Sequence, residues 1–351
     1  MSWFIAFLIL SLLIFFHELG HYSAARYFGV FVEVFSIGFG KKIASFDFIG
    51  TRWQVSIIPL GGYVKMKGQE DMDPAARSDD DDSYNSKKPW QRIIILLAGP
   101  AANFLLAYLL YFFIALGGPQ TLAPVVGKIV PDSPAALAGL MENDRITSIN
   151  NQAITTWKEM TGIIKEAKGA LSVEVERGAY LKTLHVTPRI TETENMFRET
   201  VQRKMIGIGS AGVAITQEFG FFESFSYAAV ETYEASKLIF LSLQKLLTGV
   251  VPAKELGGVV SIVQITADAS SSGWMALFFF TALISVNLGV LNLLPIPALD
   301  GGHIMFNLYE MIVRRAPSEA VLIKLTIAGW VLLLGLMSLG LYNDINRIVG
   351  S

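Results

Sequence analysis

Cysteine is absent from this 351-residue chain, histidine occurs only four times, and charged residues make up only 17% of it. Without cysteine the chain has neither disulfides nor thiolate metal ligands, so any transition-metal site must use histidine and carboxylate side chains. The formal net charge of −2 gives no reason to expect a nucleic-acid partner. Hydrophobic residues make up 52% of the chain and its mean hydropathy is +0.47, which predicts a polytopic membrane protein.

Four apolar stretches are long enough to span a bilayer, which takes about 20 helical residues. They run approximately over residues 3–28, 93–116, 275–298 and 325–342. A fifth candidate, residues 225–251, carries four charged side chains and is therefore predicted to be an amphipathic helix on the membrane surface. The first stretch lacks the basic start and the small-residue cleavage site of a signal peptide, so we interpret it as a retained helix.

The distribution of lysine and arginine predicts the orientation of these helices. Ten of these residues occur from Arg26, at the end of the first span, to Arg92, just before the second, and Arg314, Arg315 and Lys324 lie between the last two spans. Because loops rich in lysine and arginine stay in the cytoplasm, both loops are predicted to be cytoplasmic and both termini extracytoplasmic. A rise of about 1.5 Å per residue then places His17 in the cytoplasmic half of the hydrocarbon layer.

The most informative motif is His17-Glu18-Leu19-Gly20-His21, at the end of the first apolar stretch. On a helix, HExxH places two imidazoles on one face, one turn apart, with a glutamate beside them, an arrangement that binds zinc and activates water. Ionisable side chains at membrane depth are costly, which favours a functional role. A motif of five residues can occur by chance, and by itself it does not establish a zinc site. Its position inside a predicted membrane helix strengthens the prediction.

A catalytic zinc usually has three protein ligands, and the densest source of a third is residues 292–303, NLLPIPALDGGH. Pro295 and Pro297 are expected to break the third helix and to expose backbone groups that must be buried in protein or face a wet cavity. A carboxylate there needs a partner, and zinc would provide one. From the residues alone, Asp300 and His303 are both candidates for the third ligand.

Two stretches outside the spans have strand-like patterns. Residues 31–66 alternate β-branched and aromatic residues with glycines, which predicts a small β-element, followed by a hydrophilic linker that holds Asp79–Asp82. The pattern SPAALAGL…NDRITSIN, within residues 127–157, resembles a PDZ domain and predicts an α+β module with His185 on a polar strand at its surface. Such a module is expected to bind a peptide or a protein C-terminus.

Three motifs together resemble the site-2 protease family of intramembrane zinc metalloproteases: HELGH in the first span, GPAAN at residues 99–103 in the second, and NLLPIPALDGGH in the third. With a PDZ-like module between the second and third spans, the arrangement is similar to the bacterial regulator-of-sigma-E protease branch. The resemblance implies that Asp300 is the third zinc ligand and that Glu18 is the catalytic base. The substrate-binding residues that it implies are Asn292, near the metal, and Gly61 and Gly62, in a membrane-reentrant β-element.

By the same resemblance, the expected function is zinc-dependent cleavage of single-pass membrane proteins within the membrane, with anti-sigma factors or remnant signal peptides as substrates. The expected location is the bacterial inner membrane, with lipids and substrate proteins as partners. Members of this branch commonly carry two PDZ domains, whereas this chain has the pattern for one, which leaves substrate selection open.

Two other classes of function compete with the protease. A catalytically silent scaffold has no need of the costly intramembrane set of HExxH and Asp300, and a metal transporter has no need of a peptide-binding module. Asn103, at the end of GPAAN, is interpreted as a residue that hydrogen-bonds between helices.

The predicted fold is a polytopic α-helical membrane protein with four transmembrane helices, a membrane-associated β-element and one α+β PDZ-like domain. Its predicted segments are a first transmembrane helix with HExxH (1–30), a membrane-reentrant β-element (31–68), a cytoplasmic linker (69–91), a second transmembrane helix (92–117), a PDZ-like domain (118–190), a periplasmic linker with an amphipathic helix (191–274), a third transmembrane helix (275–300), a cytoplasmic loop (301–324), a fourth transmembrane helix (325–343) and a C-terminal tail (344–351).

Overall fold

The computed structural model of the chain describes residues 2–69 and 78–349, so parts of the predicted linker 69–91 and of the predicted tail 344–351 lie outside the described residues. The chain divides into two compact units. The first, here called the helical unit, comprises Met1–Ala115 and Phe221–Ser351. The second, here called the α+β unit, comprises Leu116–Gly220.

The elements of both units are numbered in chain order. Within the described residues the α-helices are α1 (Ser2–Tyr27), α2 (Pro89–Leu116), α3 (Pro134–Leu137), α4 (Trp157–Glu166), α5 (Phe221–Leu247), α6 (Val259–Ser271), α7 (Trp274–Asn292), α8 (Asp300–Val313) and α9 (Glu319–Val349). The strands are β1 (Val32–Phe48), β2 (Thr51–Met66), β3 (Gln120–Leu122), β4 (Val126–Ile129), β5 (Arg145–Ile149), β6 (Gln152–Ala153), β7 (Leu171–Arg177), β8 (Tyr180–Val186), β9 (Arg189–Glu194), β10 (Thr200–Met205), β11 (Ile208–Ser210) and β12 (Ala214–Thr216).

Four helices of the helical unit are long and apolar enough to cross a membrane, namely α1, α2, α7 and α9. They coincide with the four predicted spans, which confirms the number and position of the apolar helices. Helix α7 ends at Asn292, whereas the predicted third span continues to residue 300. Pro295 and Pro297 occupy the connection between α7 and α8, and proline cannot donate the backbone hydrogen bonds that a continuing helix requires.

Helix α6 has no counterpart among the predicted segments, since residues 191–274 are predicted as a linker with one amphipathic helix. Its N-terminus is capped by a side chain from α9: Asp344 accepts hydrogen bonds from the backbone N–H groups of Gly258 at 3.0 Å and Ser261 at 3.1 Å. A carboxylate at this end of a helix satisfies orphan donors and complements the helix dipole. Because the cap is 86 residues away in sequence, no local pattern marks where α6 begins.

The β-element is a curled sheet in which β1 and β2 each fold back on themselves. Residues 32–37 pair with residues 62–66 on one side and with residues 52–55 on the other, and residues 51–56 pair in turn with residues 42–48. The spatial order of the four segments is therefore 62–66, 32–37, 51–56 and 42–48. The strands bend at glycines with positive φ, a backbone conformation that side chains disfavour; these are Gly38 (89°), Gly40 (86°) and Gly61 (124°).

The α+β unit has a four-stranded antiparallel sheet in the order β6-β5-β7-β8. Its core consists of apolar side chains that are fully buried, among them Val126, Ile146, Ile149, Met160, Val173 and Val175. The unit continues past the predicted boundary at residue 190 because β11 pairs with β4 and β12 pairs with β3. His185 is exposed on β8, as the polar strand pattern predicts.

An ion pair with a buried carboxylate ties the loop before β5 to the end of β7 in the α+β unit. The Asp144 side chain is 0% exposed, and Arg177 donates to both of its carboxylate oxygens at 2.7 Å. The backbone N–H of Met141 donates a third hydrogen bond to Asp144, at 2.8 Å. Burial alone would raise the pKa of Asp144, but these hydrogen bonds outweigh it and hold the pKa below its ordinary value.

Candidate active site

Helix α1 presents both histidines of HExxH on one face. His17 and His21 are one turn apart, so their imidazoles project in the same direction. Their Nε2 atoms are 3.2 Å apart, and the side chains are 13% and 8% exposed. The pair therefore lies largely within the protein and retains a small opening.

Asp300, the first residue of α8, reaches this pair from the other end of the sequence. Its Oδ2 atom lies 3.3 Å from Nε2 of His17 and 3.4 Å from Nε2 of His21. Within the described residues, these three side chains are the one cluster of three or more metal-binding residue types whose ligand atoms lie within 4.8 Å of one another. His303, the alternative third ligand, is outside this cluster.

Two glycines allow the connection before α8 to fold tightly enough to bring Asp300 into place. A Cβ atom on Gly301 would lie 2.2 Å from the carbonyl oxygen of Leu294. A Cβ atom on Gly302 would lie 2.3 Å from the carbonyl oxygen of Ile296. Both distances are far below van der Waals contact, so the LDGGH sequence is needed for the packing of this connection as well as for its carboxylate.

The geometry of the cluster fits zinc. The three ligand atoms form a triangle with sides of 3.2, 3.3 and 3.4 Å. Tetrahedral zinc with bonds of about 2.0–2.1 Å holds its ligands about 3.3–3.4 Å apart. Apart from the two imidazoles, buried Asp300 Oδ2 has no hydrogen-bond partner among the described residues, so a cation between the three ligand atoms would balance its charge. His17, His21 and Asp300 can thus supply three ligands and leave a fourth position open.

The His21 ring is held from behind by helix α2. Nδ1 of His21 donates a hydrogen bond of 2.8 Å to the carbonyl oxygen of Ile95, which leaves Nε2 unprotonated and directed at the cluster. Gly99, also on α2, provides the space for this ring, because a Cβ atom there would lie 2.2 Å from His21 Nε2. Gly20 allows the helices to approach, since its Cβ would lie 2.1 Å from the Ala98 carbonyl oxygen.

The side chain of Glu18, on helix α1, lies against the β-element. A Cβ atom on Gly62 would lie 3.2 Å from Cγ of Glu18 and 2.6 Å from Cγ2 of Ile14. The strand segment 62–66 therefore passes directly over the glutamate of HExxH. In the described part of the chain, no strand pairs with the outer edge of this segment.

The remaining residues implied by the resemblance lie near the same elements. Gly61 bends the strand next to Gly62, and a Cβ atom there would lie 2.1 Å from the Phe39 ring. Asn292 is the last residue of α7 and is partly exposed, at the start of the connection that leads to Asp300. The structure brings together His17, His21 and Asp300 and places Gly62 against Glu18.

Three neighbours of the site were not recognised as such from the sequence. Ile95 contributes only a backbone carbonyl, which no sequence pattern can reveal. Gly99 belongs to GPAAN, where small residues suggested close helix packing but not a histidine as the neighbour. Asn103 Nδ2 lies 3.2 Å from Nδ1 of His17, and the signals for it were its place in GPAAN and its polarity in an apolar span.

Comparisons with known proteins find relatives that match almost the whole chain. The sequence profile of peptidase family M50 matches residues 5–336. A protein of Campylobacter jejuni named as a zinc metalloprotease is 46% identical over 98% of this chain and 93% of its own length. One of Helicobacter pylori with the same kind of name is 41% identical over 98% of this chain and 99% of its own length. Metalloprotease MmpA of Caulobacter vibrioides is 35% identical over 97% of this chain and 94% of its own length.

Proposed function

This chain belongs to peptidase family M50 and is a zinc metalloprotease of the site-2 type, and from that premise we propose that it cleaves single-pass membrane proteins within their transmembrane segments. The observation that supports this most strongly is the triangle of His17, His21 and Asp300, together with Glu18 and a strand edge that has no partner strand among the described residues. By resemblance, the substrate class comprises anti-sigma factors and remnant signal peptides.

In the proposed site, His17, His21 and Asp300 hold the metal. A zinc ion held by these residues would supply Lewis-acid chemistry, lowering the pKa of bound water and polarising the scissile carbonyl. Glu18 accepts the proton of the attacking water and returns it to the leaving amine, as its place beside the two histidines in HExxH allows. The side chains of His17, His21 and Asp300 are only 13%, 8% and 16% exposed, so this burial restricts the access of water and peptide to the site.

A transmembrane helix is a poor substrate as long as its carbonyls are hydrogen-bonded within the helix. The β-element offers a way to hold it unwound. The outer edge of residues 62–66 can pair with an extended segment of the substrate, which then lies beside Glu18. An unpaired edge is unfavourable in lipid, so pairing with substrate also satisfies the backbone groups of the enzyme. Asn292, partly exposed at the end of α7, is proposed to contact the same extended segment.

The distribution of lysine and arginine supports an orientation in the bacterial inner membrane. The loops between the first two and the last two spans carry most of the positive charge near the helix ends, so we place them in the cytoplasm and both termini outside. This orientation places HExxH towards the cytoplasmic side of the membrane. Lipids would then cover the exposed apolar side chains of α9, such as Trp330 and Met337.

The α+β unit is proposed to act as a PDZ-like module that binds a peptide or a protein C-terminus. It has a cavity of about 320 Å³ between α4 and residues 206–208. The side chains of Trp157, Met160 and Ile164 line the helical side of this cavity. An apolar C-terminal side chain could enter it while the peptide backbone adds as a strand.

The experiment that tests the protease compares the wild type with Glu18→Gln. The full-length protein is purified in detergent and incubated with a model substrate that has one transmembrane segment. Because the variant retains all three ligands but lacks the base, we expect cleavage to fall by about 100-fold to 10,000-fold with zinc content unchanged. Cleavage at the wild-type rate would refute the proposed chemistry. A variant that lacks His17 should lose both zinc and activity, and it serves as the reference for loss of the metal.

A further inference from the structure

Asn103 contacts the histidine pair from the side away from Asp300, at Nδ1 of His17. Asn103 is in the middle of α2 and is 0% exposed, and the Nδ2 atom of its amide lies 3.2 Å from Nδ1 of His17. His21, by contrast, is held by the backbone carbonyl of Ile95. A backbone carbonyl is present whatever the residue, whereas the contact of Asn103 with His17 depends on the residue type at position 103. His17 also has a backbone interaction with Gly99, so Asn103 is the side-chain part of its support.

The proton positions at this contact follow from what the metal requires. A histidine that binds zinc through Nε2 must carry its proton on Nδ1, because a neutral imidazole has one N–H and one lone pair. Nδ1 of His17 is then a donor and needs an acceptor. Of the two atoms at the end of the Asn103 side chain, only the oxygen can accept.

The amide of Asn103 has that oxygen available. Its Oδ1 atom is buried and has no hydrogen-bond partner among the described residues. The nitrogen and oxygen of an asparagine amide occupy nearly equivalent positions, and they are assigned from the hydrogen bonds that each can make. A half-turn of the amide places Oδ1 opposite Nδ1 of His17, which gives the buried oxygen a donor and the ring nitrogen an acceptor.

We propose that Asn103 is a positioning residue that accepts a hydrogen bond from Nδ1–H of His17, and so holds this imidazole in the tautomer and orientation that present Nε2 to zinc. This inference rests on the proposed zinc site. It replaces the interpretation of Asn103 as a residue that only joins helices. A separate hydrogen bond joins helices α2 and α7 at this point: Ser285 Oγ on α7 donates to the backbone carbonyl of Asn103 at 2.7 Å.

That separate hydrogen bond provides a matched control. Ser285→Ala removes the link between α7 and Asn103 but leaves the amide in place. Asn103→Leu keeps a side chain of similar size and removes the acceptor. Asn103→Asp keeps the shape and restores an acceptor, since a carboxylate oxygen accepts from Nδ1–H as an amide oxygen does. His17→Ala reports on the proposed zinc site itself.

The experiment measures zinc affinity by competition with a chromophoric chelator, on the full-length protein in detergent. The d–d absorption spectrum of the cobalt-substituted protein reports the ligand geometry independently of activity. Loss of an outer partner of a histidine ligand typically weakens metal binding about 10-fold to 100-fold, so we expect this loss and an altered spectrum for Asn103→Leu. Asn103→Asp should recover most of the affinity, and Ser285→Ala should match the wild type.

Three results would overturn the inference. Wild-type affinity and spectrum in Asn103→Leu would show that the amide does not position His17. A loss in Asn103→Asp as large as that in Asn103→Leu would show that the residue does not act through an accepting oxygen, since aspartate keeps both the shape and the acceptor. If His17→Ala retained wild-type zinc affinity, the zinc site would be wrong, and the role of Asn103 would fall with it. If leucine prevents folding, Asn103→Ala tests the same loss of the acceptor with a smaller side chain.

Discussion

Gly99 is the position where a single methyl group should remove the metal. In Gly99→Ala the new Cβ would lie 2.2 Å from Nε2 of His21, 2.5 Å from Cε1 and 2.8 Å from Cδ2. Ordinary contact begins near 3.4 Å, so the ring or the helix must move by about 1.2 Å. The ring cannot easily move, because its Nδ1 is hydrogen-bonded to Ile95 and the residue is only 6% exposed.

This displacement is large for a metal ligand. Metal–ligand distances tolerate about 0.2 Å, so a shift of about 1.2 Å removes His21 from the set of ligands. We expect zinc affinity in Gly99→Ala to fall at least about 100-fold, with loss of proteolysis. Helix propensity alone predicts that Gly99→Ala makes the protein more stable, because alanine stabilises a helix interior by about 1 kcal/mol relative to glycine. A protein that is well folded but does not retain zinc would therefore be diagnostic of the clash.

The assay is the zinc content of the purified full-length protein after dialysis, together with chelator competition and circular dichroism. Gly335→Ala is the matched control: it lies in the apolar helix α9, and a Cβ atom there would meet nothing within 4 Å. We expect this control to bind zinc as the wild type does. Equal zinc affinity in Gly99→Ala and Gly335→Ala would refute the packing of His21 against Gly99.

Two further predictions concern the β-element and the α+β unit. Gly62→Val should push segment 62–66 away from Glu18, so we expect cleavage of the model substrate to fall about 100-fold while zinc is retained. The control is Ala44→Val, on the opposite, exposed edge of the sheet, and this variant should cleave the substrate at the wild-type rate. Equal cleavage by both variants would contradict substrate pairing at this edge. Asp144→Asn should destabilise the α+β unit by about 1.5–3 kcal/mol, seen as faster hydrogen–deuterium exchange, with exposed Asp132→Asn as control. The pKa of Asp144 is lower in the folded state than its unfolded value of about 3.9. Its contribution to stability is therefore complete above about pH 3.9 and is lost as the pH falls through the folded-state pKa. The difference in stability between Asp144→Asn and the wild type should accordingly vanish in strong acid.

Much of the helical architecture follows from local patterns. An apolar run long enough to span a bilayer forms a helix because lipid offers no partner for backbone hydrogen bonds, and all four predicted spans are helices in the structure. Pro295 and Pro297 end α7 for an equally local reason. The spacing of His17 and His21 puts them on one face by helix geometry alone. These conclusions need no information from distant parts of the chain.

The sequence failed where the responsible contact is distant in the chain. Helix α6 begins where Asp344 caps it, and the α+β unit extends to β12 because that strand pairs with β3. A pattern of alternating residues indicated strands over residues 31–66, but the order of the four segments depends on where Gly38, Gly40 and Gly61 bend the chain. Pairing partners are set by the free energy of the whole sheet, which a strand pattern does not contain.

By itself, the sequence determined that this protein is a membrane protein with two zinc-ligand candidates on one helix, since hydropathy and helical spacing act over a few turns. It left Asp300 and His303 open as the third ligand until a family resemblance was invoked. Only the tertiary structure decided that Oδ2 of Asp300 lies 3.3 and 3.4 Å from the two imidazoles, with Ile95, Gly99 and Asn103 behind them. The physical reason is that a tetrahedral ligand set needs ångström accuracy between α1, α2 and α8, which close packing of distant helices supplies and sequence spacing does not.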